Sequence, residues 1–292
     1  MGFKISDSAS DMRETAGPGG SRALTYRQVL SLAWPIMLAQ IATAMTGVVD
    51  TAVIGRYDDR VGLAAVAVAA VAFSFIYWGF GFLRMATTGL TSQAIGRQDF
   101  VESRRILARA LILGAGFGIV LLLGSPLLGR AIFAAFGATD EVEGLAREYF
   151  LARIPGAPAA LMGYGIMGWL IGVGRTRALL AYQVVANGTN VVLDITFVAS
   201  FDLGPAGVGA GTAIAEWVAL IFGVWLLRKE LGELRRPRAL LEPARVREML
   251  VANRDVMIRT LALLFSFAWF INSGASVGTA ALAGNQVLLQ FV

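Results

Sequence analysis

The sequence predicts an all-α, polytopic membrane protein, and three observations predict it. Hydrophobic residues make up 57% of the 292 positions, and mean hydropathy is +0.67. Charged residues are only 15%, where a soluble domain carries about 25%. The apolar residues fall in runs long enough to cross a bilayer, for which a helix needs about 20. No amphipathic pattern of a soluble core persists between them.

The runs cover roughly 28–54, 62–90, 106–129, 147–172, 178–200, 206–227, 256–276 and 279–292. That is seven spans and the start of an eighth. The 34 glycines suit closely packed membrane helices. Lys4, Arg13, Arg22 and Arg27 precede the first span, and Arg97, Arg104, Arg105 and Arg109 follow the second. Arg175 and Arg177 follow the fourth, and the connection after the sixth is densely basic, "RKELGELRRPRALLEPARVREML". The alternate connections are poorer in cations. The asymmetry places the N-terminus and the sixth connection in the cytoplasm. It also accounts for the net charge of +5 without a nucleic-acid partner.

The sequence divides into a polar, disordered cytoplasmic tail over 1–25, a six-helix lobe over 26–228, a cytoplasmic loop over 229–250 and the start of a second lobe over 251–292. The tail has no apolar core of a signal peptide. "MGFKIS" fits a myristoylation pattern only as a chance match. "VLSLAWPIML" is echoed by "EMLVANRDVMI", and "RVGLAAVAVA" by "SVGTAALAGN", at an offset of about 220 residues. Such repeats characterise secondary transporters. The expectation is a pair of six-helix bundles, with this chain stopping inside the second.

Cys and His are both absent. Thiol nucleophiles, disulfides, Cys/His metal sites and histidine acid–base chemistry are thereby excluded. "GYGIMG" (163–168) lies in a membrane span, not after a strand, so it is no dinucleotide loop. "GAGFG" (114–118) offers a small-residue packing face.

The informative residues are polar groups inside the spans, which are expensive there and mark functional sites. Asp50 lies about 20 residues into the first span, near its end, where it is either an intramembrane or an interfacial acid, fifteen residues after Pro35, or about 22 Å along a helix. A proline inside a helix removes a backbone hydrogen bond and lets it bend. Gln183, Asn187, Asn190 and Asp194 recur at intervals of 4, 3 and 4 in the fifth span. They form one helical stripe, turned inward to a partner helix or a wet cavity. Thr212 and Glu216 sit one turn apart in the sixth span, and Glu216 either serves the cavity or bridges helices.

"LAWPIMLAQIATAMTGVVDTAVIGR", "GFLRMATTGLTSQAIGR", "GVGRTR" and "NGTNVVLDITFV" together resemble the MATE (multidrug and toxic compound extrusion) family, in particular its DinF-like branch, over about residues 26–292. The resemblance implies a MATE-like N-terminal six-helix bundle plus the first one or two helices of a second, pseudo-symmetric bundle. It implies a secondary antiporter in the bacterial inner membrane. Small organic, often cationic compounds would leave in exchange for H⁺ or Na⁺, with no bound cofactor. The rest of the second lobe is expected in a longer full-length protein. The family's cation site maps to Asp50, Asn190, Asp194 and Thr212, its nearby tyrosine to Tyr149, and its first-helix proline to Pro35. Na⁺ would use the same four residues. Gln183, Asn187 and Glu216 are supporting or cavity residues on the residue reading alone. The glutamate that another MATE branch carries in its seventh helix has no counterpart in "IRTLALLFSFAWFINSG".

Two aspartates close together in a low-dielectric site can share a proton near neutral pH. Three rival readings remain. A lipid-linked oligosaccharide flippase of the same superfamily needs a cationic cavity. An intramembrane aspartyl enzyme would use two acids as a dyad. A channel would pass ions faster than any transporter turns over.

Overall fold

The computed structural model describes residues 60–136 and 139–232 continuously, the short pieces 33–38 and 52–56, and isolated positions at 26, 30 and between 242 and 266. The elements are α1 (Arg60–Gly79), α2 (Gly81–Gly96), α3 (Phe100–Phe136), α4 (Asp140–Arg153), a 3-10 turn (Ile154–Gly156), α5 (Ala157–Gly172), α6 (Thr176–Ile195), a π turn (Thr196–Ser200), α7 (Gly204–Leu226) and the short α8 (Arg228–Gly232). No strand occurs among the described residues.

Five continuous helical stretches are long and apolar enough to cross a membrane: Val61–Gly96, Phe100–Ala134, Asp140–Gly172, Thr176–Ser200 and Gly204–Leu226. They correspond to the second to sixth spans expected from sequence. The first span is described only in its two short pieces. The seventh and eighth lie outside the described residues, save isolated positions.

The helices run further than the apolar runs. α3 takes in Arg104, Arg105 and Arg109, so these residues are helical and do not form a connecting loop. Arg109 is buried and pairs with Glu102 at 2.6 Å. Its charge is neutralised inside the helix, so it does not act as a free cation of a connection. α4 likewise absorbs Asp140, Glu141 and Glu143 into its first turn, where the helix dipole favours acids.

α3 packs along α5, and α2 lies on another face of α5. α6 packs on α7, α4 on α7, and α1 on α4. The α3–α5 seam needs glycine: a Cβ on Gly118 would come within 2.3 Å of Pro158 Cα, and one on Gly114 within 2.7 Å of the Leu161 carbonyl. The small-residue face expected at 114–118 is this seam. Gly168 meets Arg84 O and Thr87 on α2 in the same way, and Thr88 Oγ1 bonds the Gly168 carbonyl at 3.1 Å. "GYGIMG" is thus a helix-packing surface.

One apolar cluster centres on Phe73, Tyr149, Phe150 and Leu161, and a second on Ile166, Leu170, Leu179 and Tyr182. Large apolar side chains such as Val120, Leu123, Leu127, Val192 and Ile221 are exposed. In a membrane span these are the faces that meet lipid.

Candidate cation and substrate site in the helical lobe

α6 and α7 are joined by the tight turn at Asp202–Leu203, in which Asp202 takes φ 53° and Gly204 takes φ 50°. The reversal lays the two helices side by side. Asn190 Nδ2 donates to Thr212 Oγ1 at 3.1 Å, and Thr212 Oγ1 donates to the Val208 carbonyl at 2.9 Å. Both side chains are buried. Thr212 spends its proton on its own helix, so its oxygen faces α6 as an acceptor. Asn190 Oδ1 is buried and has no hydrogen-bond partner among the described residues.

Asp194 lies one turn further along α6 and is fully buried. Its Oδ1 rests on the α7 backbone: a Cβ on Gly211 would come within 2.3 Å of it. Asn190, Asp194 and Thr212 therefore occupy one α6–α7 interface. The helix widens into the π turn at Thr196, two residues after Asp194, a distortion frequent at functional sites.

Gln183 is buried and Asn187 half-buried, so the α6 stripe faces into the bundle. Asn187 Nδ2 is sealed from solvent with no hydrogen-bond partner among the described residues. Pro35 is buried and has helical residues on both sides within 33–38. Asp50 lies outside the described residues.

Tyr149 and Glu216 belong to a neighbouring cluster. Tyr149 is fully buried on α4, and its hydroxyl accepts a 2.6 Å hydrogen bond from Arg153 Nη1. The Arg153 guanidinium stacks over Phe73 at 4.5 Å, with Tyr77 and Tyr149 each at 5.7 Å. Glu216 Oε2 rests against Gly156, in the 3-10 break between α4 and α5. Trp217 Nε1 bonds the Pro155 carbonyl at 3.0 Å and holds that break to α7. Glu216 is within electrostatic reach of Arg153, Tyr77, Tyr164 and Tyr182.

Sequence reasoning missed Arg153, although it stands inside the fourth apolar run and the rule that singles out Asp50 applies to it equally. Gly211 and Gly156 were missed too. No local pattern tells a glycine that seats a carboxylate from one that packs a helix.

The MatE family model matches residues 35–196. The chain belongs to this family. It is 37% identical to DNA damage-inducible protein F of Escherichia coli K12 over 262 residues, which is 88% of this chain and 57% of that protein. It is 29% identical over 271 residues to a probable multidrug resistance protein NorM of Aromatoleum aromaticum, again 88% of this chain and 57% of the relative. The chain thus spans little more than half the length of these relatives. Among solved structures, an outward-facing multidrug resistance MATE family transporter of the MOP superfamily is similar at a TM-score of 0.77 and 22% identity, covering 89% of this chain and 58% of that one. The bent form of Vibrio cholerae VcmN matches at a TM-score of 0.73 and 23% identity, over 91% and 60%. These likenesses establish the all-α fold of MATE transporters for an integral membrane chain.

Proposed function

We propose that this chain carries the N-terminal lobe of a secondary antiporter that exports small organic, often cationic, compounds across the bacterial inner membrane in exchange for H⁺ or Na⁺. Its N-terminus is cytoplasmic. The inter-lobe loop spans 229–250, and the second lobe begins at 251. The protein is a transporter with no bound cofactor.

The observation that carries the reading is the buried α6–α7 interface. Its Asn190–Thr212 hydrogen bond leaves Asn190 Oδ1 without a partner among the described residues, one turn from the buried carboxylate of Asp194. A carboxylate, an amide oxygen and a hydroxyl oxygen are the hard donors that a small cation prefers. A proton needs only the carboxylate. In this proposal Asp50 completes the set, and Gln183, Asn187 and Tyr149 line its surroundings.

Cation binding changes the charge and hydrogen bonding at the interface. Helix one responds by bending at Pro35, which shrinks the lobe cavity and expels substrate. The cation drives this step only by the difference in its affinity for the two conformations. The family name supports export, and the relatives named for multidrug resistance support the substrate class.

The flippase reading gains one supporting feature, the interior cation Arg153. That guanidinium already bonds Tyr149 and stacks on Phe73, and its charge acts on the buried acid Glu216, so the antiporter reading is preferred.

Efflux by the full-length protein in proteoliposomes tests the proposal, with ΔpH compared against a Na⁺ gradient. Asp50→Asn and Asp194→Asn should each abolish coupled efflux. Wild-type coupled efflux from either variant sinks the proposal.

A further inference from the structure

Glu216 follows Thr212 by one turn on α7, so both face the same side of the helix. The register between α6 and α7 is fixed at two points. Asn190 bonds Thr212, and the Tyr182 ring lies against Gly223. Between these pairs, Asn187 stands level with Glu216. Glu216 Oε2 and Asn187 Nδ2 are buried on facing helices, Asn187 Nδ2 has no hydrogen-bond partner among the described residues, and the carboxyl of Glu216 is in hydrogen-bond range of the Tyr77 hydroxyl on α1. Native interiors hold few buried polar atoms without a partner, and each is accounted for by strain, a chemical role, or a bound water or ion.

Glu216 is coupled to groups on four other helices: Tyr77 on α1 by hydrogen bonding, and Arg153 on α4, Tyr164 on α5 and Tyr182 on α6 through charge. Arg153 is the cation in this set, and its own contacts hold it in place. Its Nη1 is bonded to Tyr149, and its plane is stacked on Phe73. Its charge acts on Glu216 through space.

The seat of Oε2 is narrow. A Cβ on Gly156 would lie 2.1 Å from Oε2 and 2.8 Å from Ala213 Cα. An organic amine or a hydrated metal ion does not fit between the oxygen and that backbone. A proton does, and it converts the carboxylate into a donor beside the acceptor-capable Tyr77 hydroxyl. Glu216 as a residue is half-buried although Oε2 is sealed.

We propose that Glu216 is a second proton carrier of this lobe, one turn along α7 from the cation site, loaded and discharged in the same transport cycle. The carboxylate takes a proton from water reaching the lobe surface and returns it to water after the conformational change. No other bond forms or breaks. This inference rests on the antiporter reading above and makes its proton-coupled form specific.

The experiment is difference infrared spectroscopy on the full-length transporter, with proton counting in proteoliposomes. In the wild type, a carboxylic-acid carbonyl band should appear on acidification and respond to added substrate. Glu216→Gln should delete that band and lower by one the number of protons moved per substrate exported. Glu216→Asp keeps an acid and withdraws it from Gly156, so the band should shift instead of vanishing. This second variant decides the matter if the first does not fold. An unchanged band in both variants, or an unchanged proton count in Glu216→Gln, overturns the proposal. Failure of the antiporter reading looks different: coupled efflux is then insensitive to Asp50→Asn and Asp194→Asn, while the band assignment to Glu216 still reads out by itself.

Discussion

Asp194 Oδ1 sits directly on the backbone of Gly211, so closely that a Cβ at position 211 would come within 2.3 Å of it. The acid on α6 and the glycine on α7 are one structural unit. Any side chain at 211 displaces the carboxylate from its place beside Asn190 and Thr212.

Gly211→Ala should therefore damage coupling without unfolding the lobe. The expected effect is about tenfold weaker affinity for the coupling cation, roughly 1.4 kcal/mol, read as a shifted cation dependence of efflux. Gly188→Ala on α6 is the control, because a Cβ there meets nothing within 4 Å. That variant should be neutral, or more stable by up to about 1 kcal/mol through helix propensity.

Thr212→Val removes the acceptor of the Asn190 Nδ2 hydrogen bond and leaves that donor buried. A buried donor without a partner costs about 1–3 kcal/mol. Lower thermal stability and weaker cation affinity should appear together, while Thr212→Ser should retain most of both. A thermal-shift series with and without added cation distinguishes the two variants.

Gly118→Leu should break the α3–α5 seam, since even a Cβ there approaches Pro158 Cα at 2.3 Å. Overpacking of a rigid seam costs about 1–3 kcal/mol or more. The measurement is the yield of monodisperse protein in detergent. Gly124→Leu, at an open position on the same helix, should express normally.

Arg175 and Glu230 tie α8 to the start of α6, and the Arg175 guanidinium also lies 5.6 Å from the Trp169 ring centroid. Glu230→Gln should loosen α8. The partly exposed pair is worth only about 0.2–1 kcal/mol, so fold stability should hardly change. Limited proteolysis near residue 232 should accelerate in the variant, and high salt should produce the same acceleration in the wild type.

The α6 stripe was legible because four polar residues at helical spacing in an apolar run cannot all face lipid and must turn into the bundle. The spanning helices were legible from single segments as well, since apolar length is a local property. Helix ends were not. α3 and α4 extend over charged residues that read as connections, because Glu102 neutralises Arg109 and the helix dipole accommodates Asp140 and Glu141. Arg153 was legible as a charge inside an apolar run, but its cage was not, because the cage is non-local. Phe73 and Tyr77 come from α1, some 80 residues before it in sequence. Glu216 was visible as an acid in a span, but its seat at Gly156 exists only once α4, the 3-10 break and α7 meet. Asp50 was singled out first and lies outside the described residues, so its place in the site rests on sequence and family.

The most direct test of the central claim is cation-gradient-driven substrate efflux by Asp194→Asn in proteoliposomes, beside the wild type at matched protein density. Asparagine keeps the size of the side chain on Gly211 and removes its charge. The account predicts that the gradient no longer drives efflux although substrate still binds. Full gradient-driven efflux from Asp194→Asn would contradict it.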